Sequence, residues 1–204
     1  MQHSYDFADK VLKGLRKKIA KHFSQYKSLA GFDEINLLSR ADTMFDKLEE
    51  EAEEAYMKIA KHYAGLYDQE KIITKTWLNE YLTSYGAVTT YQYKHEVTRK
   101  KYRMFEAYMA TKLLKEIDKC MRLWNIQVTQ ATIEITDKAI LDAARNLGYG
   151  YVIWHTEDDE RVCKTCRPRD GKVYRIDQVP DKPHYNCRCW FEPIKSKKIY
   201  DRLT

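Results

Sequence analysis

The sequence predicts a mainly α fold with a small α+β module at its C-terminal end, and three observations lead there. Proline is absent before Pro168, and glycine is sparse over the same stretch, which permits long helices because proline inside a helix costs roughly 3 kcal/mol. Apolar residues recur at spacings of three and four through the first two thirds of the chain. After Gly148-Tyr149-Gly150 the texture changes to short β-branched and aromatic runs separated by turn residues.

The first helix is expected over about 5–29, where Phe7, Val11, Leu15, Ile19, Phe23 and Tyr26 share one side. Gly31 is a stop signal and Asp33 a cap for the next helix. That second helix is expected over about 33–66, with Ile35, Leu38, Phe45, Leu48, Ala52, Ala55, Ile59, Tyr63 and Leu66 as its stripe. At 1.5 Å per residue it would project about 50 Å. A shorter helix should lie in "DQEKIITKTWLNEYLTSYG", ending near Gly86. A fourth is expected over about 89–126, with a candidate break near Thr111 and with Tyr91, Tyr93, Tyr102, Phe105 and Tyr108 along it. The last, "QATIEITDKAILDAARNLG", ends at Gly148, with Thr132 or Thr136 as caps. Aromatics at helical spacing read as residues of helix seams rather than as a base-stacking platform, and Cys120 as a small core residue.

Three strands follow: "YVIWHT" (151–156), "GKVYRI" (171–176), introduced by Asp170-Gly171, and "RCWFEPI" (188–194). The division expected is a helical assembly region over 1–130 and a module over 131–204.

Composition narrows the function classes. Charged residues are 32% and hydrophobic ones 44% of 204 residues, as in ordered soluble proteins. No apolar run approaches the roughly 20 residues needed to span a bilayer, so no membrane partner is expected. The N-terminus lacks the apolar core and cleavage site of a signal peptide. Folding in a reducing cytoplasm is therefore expected, where clustered cysteines are more often metal ligands than disulfides. The net charge of +6 is unevenly spread. Lys10, Lys13, Arg16, Lys17, Lys18, Lys21 and Lys27 crowd the first 30 residues, "DKLEEEAEE" is acidic, and basic residues return in "YKHEVTRKKYR" and "KSKK". Such runs are commonly solvated helix faces, or they meet DNA phosphate or an acidic protein.

Residues 163–193 hold four of the five cysteines and all four prolines. The spacing is Cys163-x2-Cys166, then His184-x2-Cys187-x-Cys189. Two short-spaced ligand pairs on two turns suit a tetrahedral ion with metal–sulfur bonds of about 2.3 Å. Five candidates exist for four positions: Cys163, Cys166 and His184, with Cys187 or Cys189. A module of this size is marginal on hydrophobic burial alone, so a structural Zn2+ would offset the deficit. Four protein ligands leave no open position for water, which predicts a structural rather than a catalytic ion. Two disulfides, a catalytic cysteine partnered by His184 or His155, and a nuclease-like centre built from His184, Asn186, His155 and Asp158 remain as alternatives.

The order W-H-T-x-D-D-x-x-x-C-x-x-C-x-x-x-D-G-K-V, followed by P-H-Y-N-C-R-C, resembles the C-terminal signature of the Mu F-like phage head morphogenesis family, the minor head (minor capsid) proteins of tailed bacteriophages. It is carried by Trp154, Asp158 or Asp159, Cys163, Cys166, Asp170, Gly171, Pro183, His184, Asn186, Cys187 and Cys189. The likeness covers roughly 110–194; Tyr185 departs from it, standing where proline is usual. It implies a virion protein present in few copies inside the head near the portal vertex, assembled in the host cytoplasm. The partners implied are the portal protein, capsid or scaffolding protein and packaged double-stranded DNA, with no enzymatic activity. A zinc-containing nucleic-acid-binding module is the competing expectation, and a nuclease the third.

Overall fold

The computed structural model describes residues 5–30, 35–84, 93–157, 162–185 and 187–196, with the backbone alone over 93–98. Five helices come first: α1 (Asp6–Ala30), α2 (Leu37–Gly65), α3 (Lys75–Thr83), α4 (Tyr93–Thr111) and α5 (Lys115–Asn146). They are followed by β1 (Tyr151–His155), β2 (Val173–Arg175) and β3 (Trp190–Ile194). The predicted class holds: a mainly helical chain ending in a three-stranded antiparallel sheet of order β2-β1-β3. Among the described residues no helix is long and apolar enough to cross a membrane.

The helical core lies where α1, α2 and α5 meet. Phe23 packs edge-on against Phe45 at 6.1 Å between ring centroids, and Phe45 against Trp124 at 5.4 Å; such edge-to-face pairs add to the gain from burial. Two tyrosine hydroxyls satisfy backbone carbonyls near the α1–α2 junction, Tyr26 to Leu37 O at 3.2 Å and Tyr108 to Ala30 O at 2.8 Å. Ion pairs clamp the helices from outside, Lys27 to Asp118 at 2.7 Å and Lys101 to Asp42 at 2.6 Å.

Several element details differ from expectation. Ile35 is 96% exposed because α2 begins at Leu37, which takes the buried place. The third helical stretch is split into a 3-10 turn, Glu70–Ile72, and α3, whose cap is Thr74: its hydroxyl accepts from Trp77 N at 3.1 Å. The fourth helix does stop at Thr111, and Lys112 takes φ 54°. The break expected between 126 and 130 is absent. Residues 115–146 form one helix, with Trp124, Val128, Ala131 and Ile135 keeping one buried stripe. Thr132 and Thr136 therefore do not cap; their hydroxyls donate back to the Val128 and Thr132 carbonyls at 2.8 Å. Gly31, Asp33 and Gly86 lie outside the described residues.

α5 ends in a Schellman turn. Gly148 at φ 75° donates to Arg145 O, and Tyr149 N–H reaches back to Ala144 O at 3.0 Å. This turn aims the chain into β1, so the module grows directly from the end of α5. A second buried cluster forms there from Ala144, Val152, Trp154, Cys166, Ile176, Cys187, Cys189 and Phe191. Trp154 meets Phe191 edge-on at 5.0 Å. Gly171, at φ 69°, makes the β1–β2 turn and donates to Trp154 O at 2.8 Å. Pro193 is tolerated because β3 is an edge strand, bonded among the described residues to β1 alone.

Candidate metal centre

Cys163 and Cys166 sit on a tight turn leading into the 3-10 turn Arg167–Arg169. The amides of Cys166 and Arg167 both donate to Cys163 O, at 3.1 and 3.0 Å, and the Cys166 amide also points at Cys163 Sγ at 3.2 Å. A sulfur facing a backbone N–H is prepared to carry negative charge. From the opposite side come His184 and Cys187-Arg188-Cys189, at the entry to β3.

His184 Nδ1 lies 2.9 Å from Tyr185 O. A carbonyl can only accept, so the proton belongs on Nδ1, and Nε2 keeps its lone pair. That lone pair faces the thiols: Nε2 is 3.1 Å from Cys163 Sγ and 3.7 Å from Cys166 Sγ. Cys166 Sγ is in turn 3.6 Å from Cys187 Sγ. A tetrahedral site with bonds of about 2.3 Å has ligand–ligand edges of about 3.8 Å, so these spacings are close to those of a coordination shell. The donors form two overlapping triads, Cys163-Cys166-His184 and Cys166-Cys187-Cys189; within each triad the ligating atoms lie within 4.8 Å of one another. Cys166 belongs to both. The five predicted ligands are thus brought to one place, and all the cysteines are free thiols; the disulfide alternative has no counterpart in these contacts.

The chemistry of the donor set fits a cation. Burial opposes ionisation of Cys163, but the Cys166 thiol, the amides of Cys166 and Thr165, and His184 hold it below the ordinary thiol range. Cys189 beside Cys187 brings the latter down to about 5, with Lys182 contributing its charge. Burial pushes Cys166 up to about 12, and Cys187 pushes Cys189 up as well. Four sulfurs this close cannot all ionise without a compensating positive charge. One further atom points the same way: Trp154 Nε1–H is buried with no conventional hydrogen-bond partner among the described residues, and it stands where it would favour a thiolate at Cys189. This cluster can hold a metal ion.

The histidine of β1 does not join it. His155 Nε2 is bonded to Glu192 at 2.8 Å, and its ring stacks on Trp190 at 4.1 Å. Asp158 and Asn186 lie outside the described residues. Cys120 is a core thiol, pushed up to about 12 by burial, and it bonds Lys100 O at 3.7 Å.

Sequence reasoning missed three residues that anchor the centre. Lys182 Nζ meets Asp137 Oδ2 at 2.6 Å and Tyr5 Oη at 2.8 Å. The Tyr5 hydroxyl, 2.6 Å from Asp137 Oδ1, also approaches Cys189 O at 3.0 Å. α1, α5 and the cysteine loop are thus tied together. The signal was present at Asp137, a carboxylate among the apolar residues Ile133, Ile140 and Leu141 on one helix face.

Fold and site together define a helical protein carrying a thiol-rich β module whose cysteines and histidine could hold a metal ion. Comparison of the chain with protein-family models, with curated proteins and with solved structures gives no match in any of the three.

Proposed function

We propose that this chain is a structural and interaction protein rather than an enzyme, with a helical body that carries a module stapled by zinc. One observation carries the structural role. Cys166, Cys187 and Cys189 are at once candidate ligands and members of the module's buried core, so an ion there would hold the fold and would offer little access to substrate. Zinc fits because the donors are thiols and an imidazole, gathered in two three-donor groups that share Cys166. The shell we propose is Cys163, Cys166 and His184 with Cys187, leaving Cys189 as the spare thiol of the second triad.

In particular, we read the chain as a minor head protein of a tailed bacteriophage, associated with the portal vertex and the capsid interior during procapsid assembly and contacting packaged DNA. The motif order from Trp154 to Cys189, similar to the Mu F-like signature, supports this reading, and the basic runs on the helices agree with it. The test is co-expression with the portal protein of the same genome, followed by copurification and elemental analysis without added metal. A stable complex containing about one zinc per chain is expected. A metal-free protein with oxidised thiols would sink the staple, and failure to associate with portal or procapsid would sink the head assignment.

A further inference from the structure

The outward face of α1 carries charge that no contact among the described residues uses. Its inward face is buried through Ala8, Leu12, Leu15, Ile19, Phe23, Tyr26 and Ala30. At 3.6 residues per turn, Lys10, Lys13, Lys17 and Lys21 fall within an arc of about 80° on the opposite side. All four are exposed. The other cations of this helix are engaged: Arg16 donates to Thr129 Oγ1, Lys18 pairs with Glu51, and Lys27 pairs with Asp118. No hydrogen bond or ion pair among the described residues holds Lys10, Lys13, Lys17 or Lys21. Asp6 and Asp9 stand in the first turn, where they complement the helix dipole, and the basic ridge begins beyond them.

Gly14 lies at the edge of this ridge. Glycine inside a helix is less favourable than any residue but proline, yet a Cβ at Gly14 would meet nothing within 4 Å. Packing within the chain does not require a glycine there. A partner that approaches the helix backbone closely would.

We propose that this face of α1 is a docking surface for the phosphate backbone of double-stranded nucleic acid, without sequence preference. From Lys10 to Lys21 the ridge is about 16 Å long, the length of about five phosphates of one strand at 3.4 Å of axis each. Lysines are point charges, which position a phosphate but do not read a base as a bidentate arginine does. The arc holds no aromatic side chain, so it offers no platform for the unstacked bases of a single strand. It also holds no apolar or aromatic anchor of the kind that dominates protein interfaces, which disfavours an acidic protein. The proposal rests on the DNA-contacting part of the function above and names its surface. Its failure would leave zinc content and portal association as they were.

The test measures binding of a random-sequence duplex by fluorescence anisotropy over a salt series. Four phosphate contacts predict a slope of about −3.6 in log K against log salt, so affinity falls about a hundredfold between 50 and 200 mM. The fourfold variant Lys10→Gln, Lys13→Gln, Lys17→Gln, Lys21→Gln should lose most of that slope. The pair Lys13→Gln, Lys17→Gln should lose about half of it, which keeps the test open if the fourfold variant does not fold. Gly14→Gln should weaken binding without lowering the melting temperature. No duplex binding at low salt, or an unchanged slope in the variants, overturns the proposal. So does polyglutamate that displaces the duplex, or single-stranded DNA that binds more tightly than duplex.

Discussion

Lys182 and Asp137, 45 residues apart in sequence, meet at 2.6 Å with side chains only 4% and 10% exposed. The pair lies between the cysteine loop and α5, and the Tyr5 hydroxyl closes it against α1. The lysine ammonium also lies 5.1 Å from the Tyr5 ring centroid and 5.3 Å from that of Phe191. Burial raises the Asp137 carboxyl above its ordinary value, and Lys182 and the Tyr5 hydroxyl offset that only in part.

Breaking one side of such a pair strands a buried charge, so Lys182→Met should cost about 3–5 kcal/mol of stability. The double variant Lys182→Met, Asp137→Leu should cost clearly less than the sum of the two single changes, since it leaves no unpaired charge. Urea unfolding of the four proteins gives the cycle, and additive single costs would show that the contact is not a coupled pair.

The five donors are not equivalent. Cys166 is common to both triads, so Cys166→Ser should abolish zinc binding. Cys187→Ser should do nearly the same, and Cys189→Ser should leave about one zinc per chain. Because Trp154 belongs to the module core and the helical core is a separate cluster, a chelator should change Trp154 fluorescence while far-UV helicity largely persists. Equal metal loss in Cys187→Ser and Cys189→Ser would contradict the ligand choice. Loss of helicity on chelation would show that the helices depend on the staple.

The strands and the cysteine cluster were legible because their signals are local: β-branched runs, Asp170-Gly171, and two short ligand spacings. The break at Thr111 was legible too. The continuity of α5 was not, since threonines read equally well as caps or as residues bonding back along the helix, and burial of Val128 decided between them. Nor was the burial of Lys182. Its partners Asp137 and Tyr5 are 45 and 177 residues away, and no periodicity connects a proline-flanked loop lysine to a helix carboxylate.

Two glycines with open space around them should respond in opposite directions to alanine. Gly14 is in a regular helix, so Gly14→Ala should raise stability by about 1 kcal/mol. Gly148 sits at φ +75° in the turn that ends α5, and Gly148→Ala should cost about 1–2 kcal/mol although nothing would clash. Thermal melts of the two variants separate backbone conformation from steric room. The same sign for both would refute the account.

The last prediction concerns pH. His62 stacks on Phe7, with ring centroids 3.8 Å apart and planes 16° from parallel, and burial holds its pKa below the ordinary histidine value. The unfolded chain therefore takes up a proton at a higher pH than the folded one. Stability from this site is complete above about pH 6.5, the unfolded value, and is lost as pH falls from there through the lower pKa of the folded protein. His184, held above its ordinary value first by its bond to Tyr185 O, and the cysteines also titrate, so the informative quantity is a difference between proteins. His62→Phe keeps a ring against Phe7 and removes the proton site. Its melting temperature should fall less than that of the parent between neutral and mildly acidic pH. Parallel curves for the two proteins would mean that the stacked imidazole contributes nothing to the acid sensitivity of the fold.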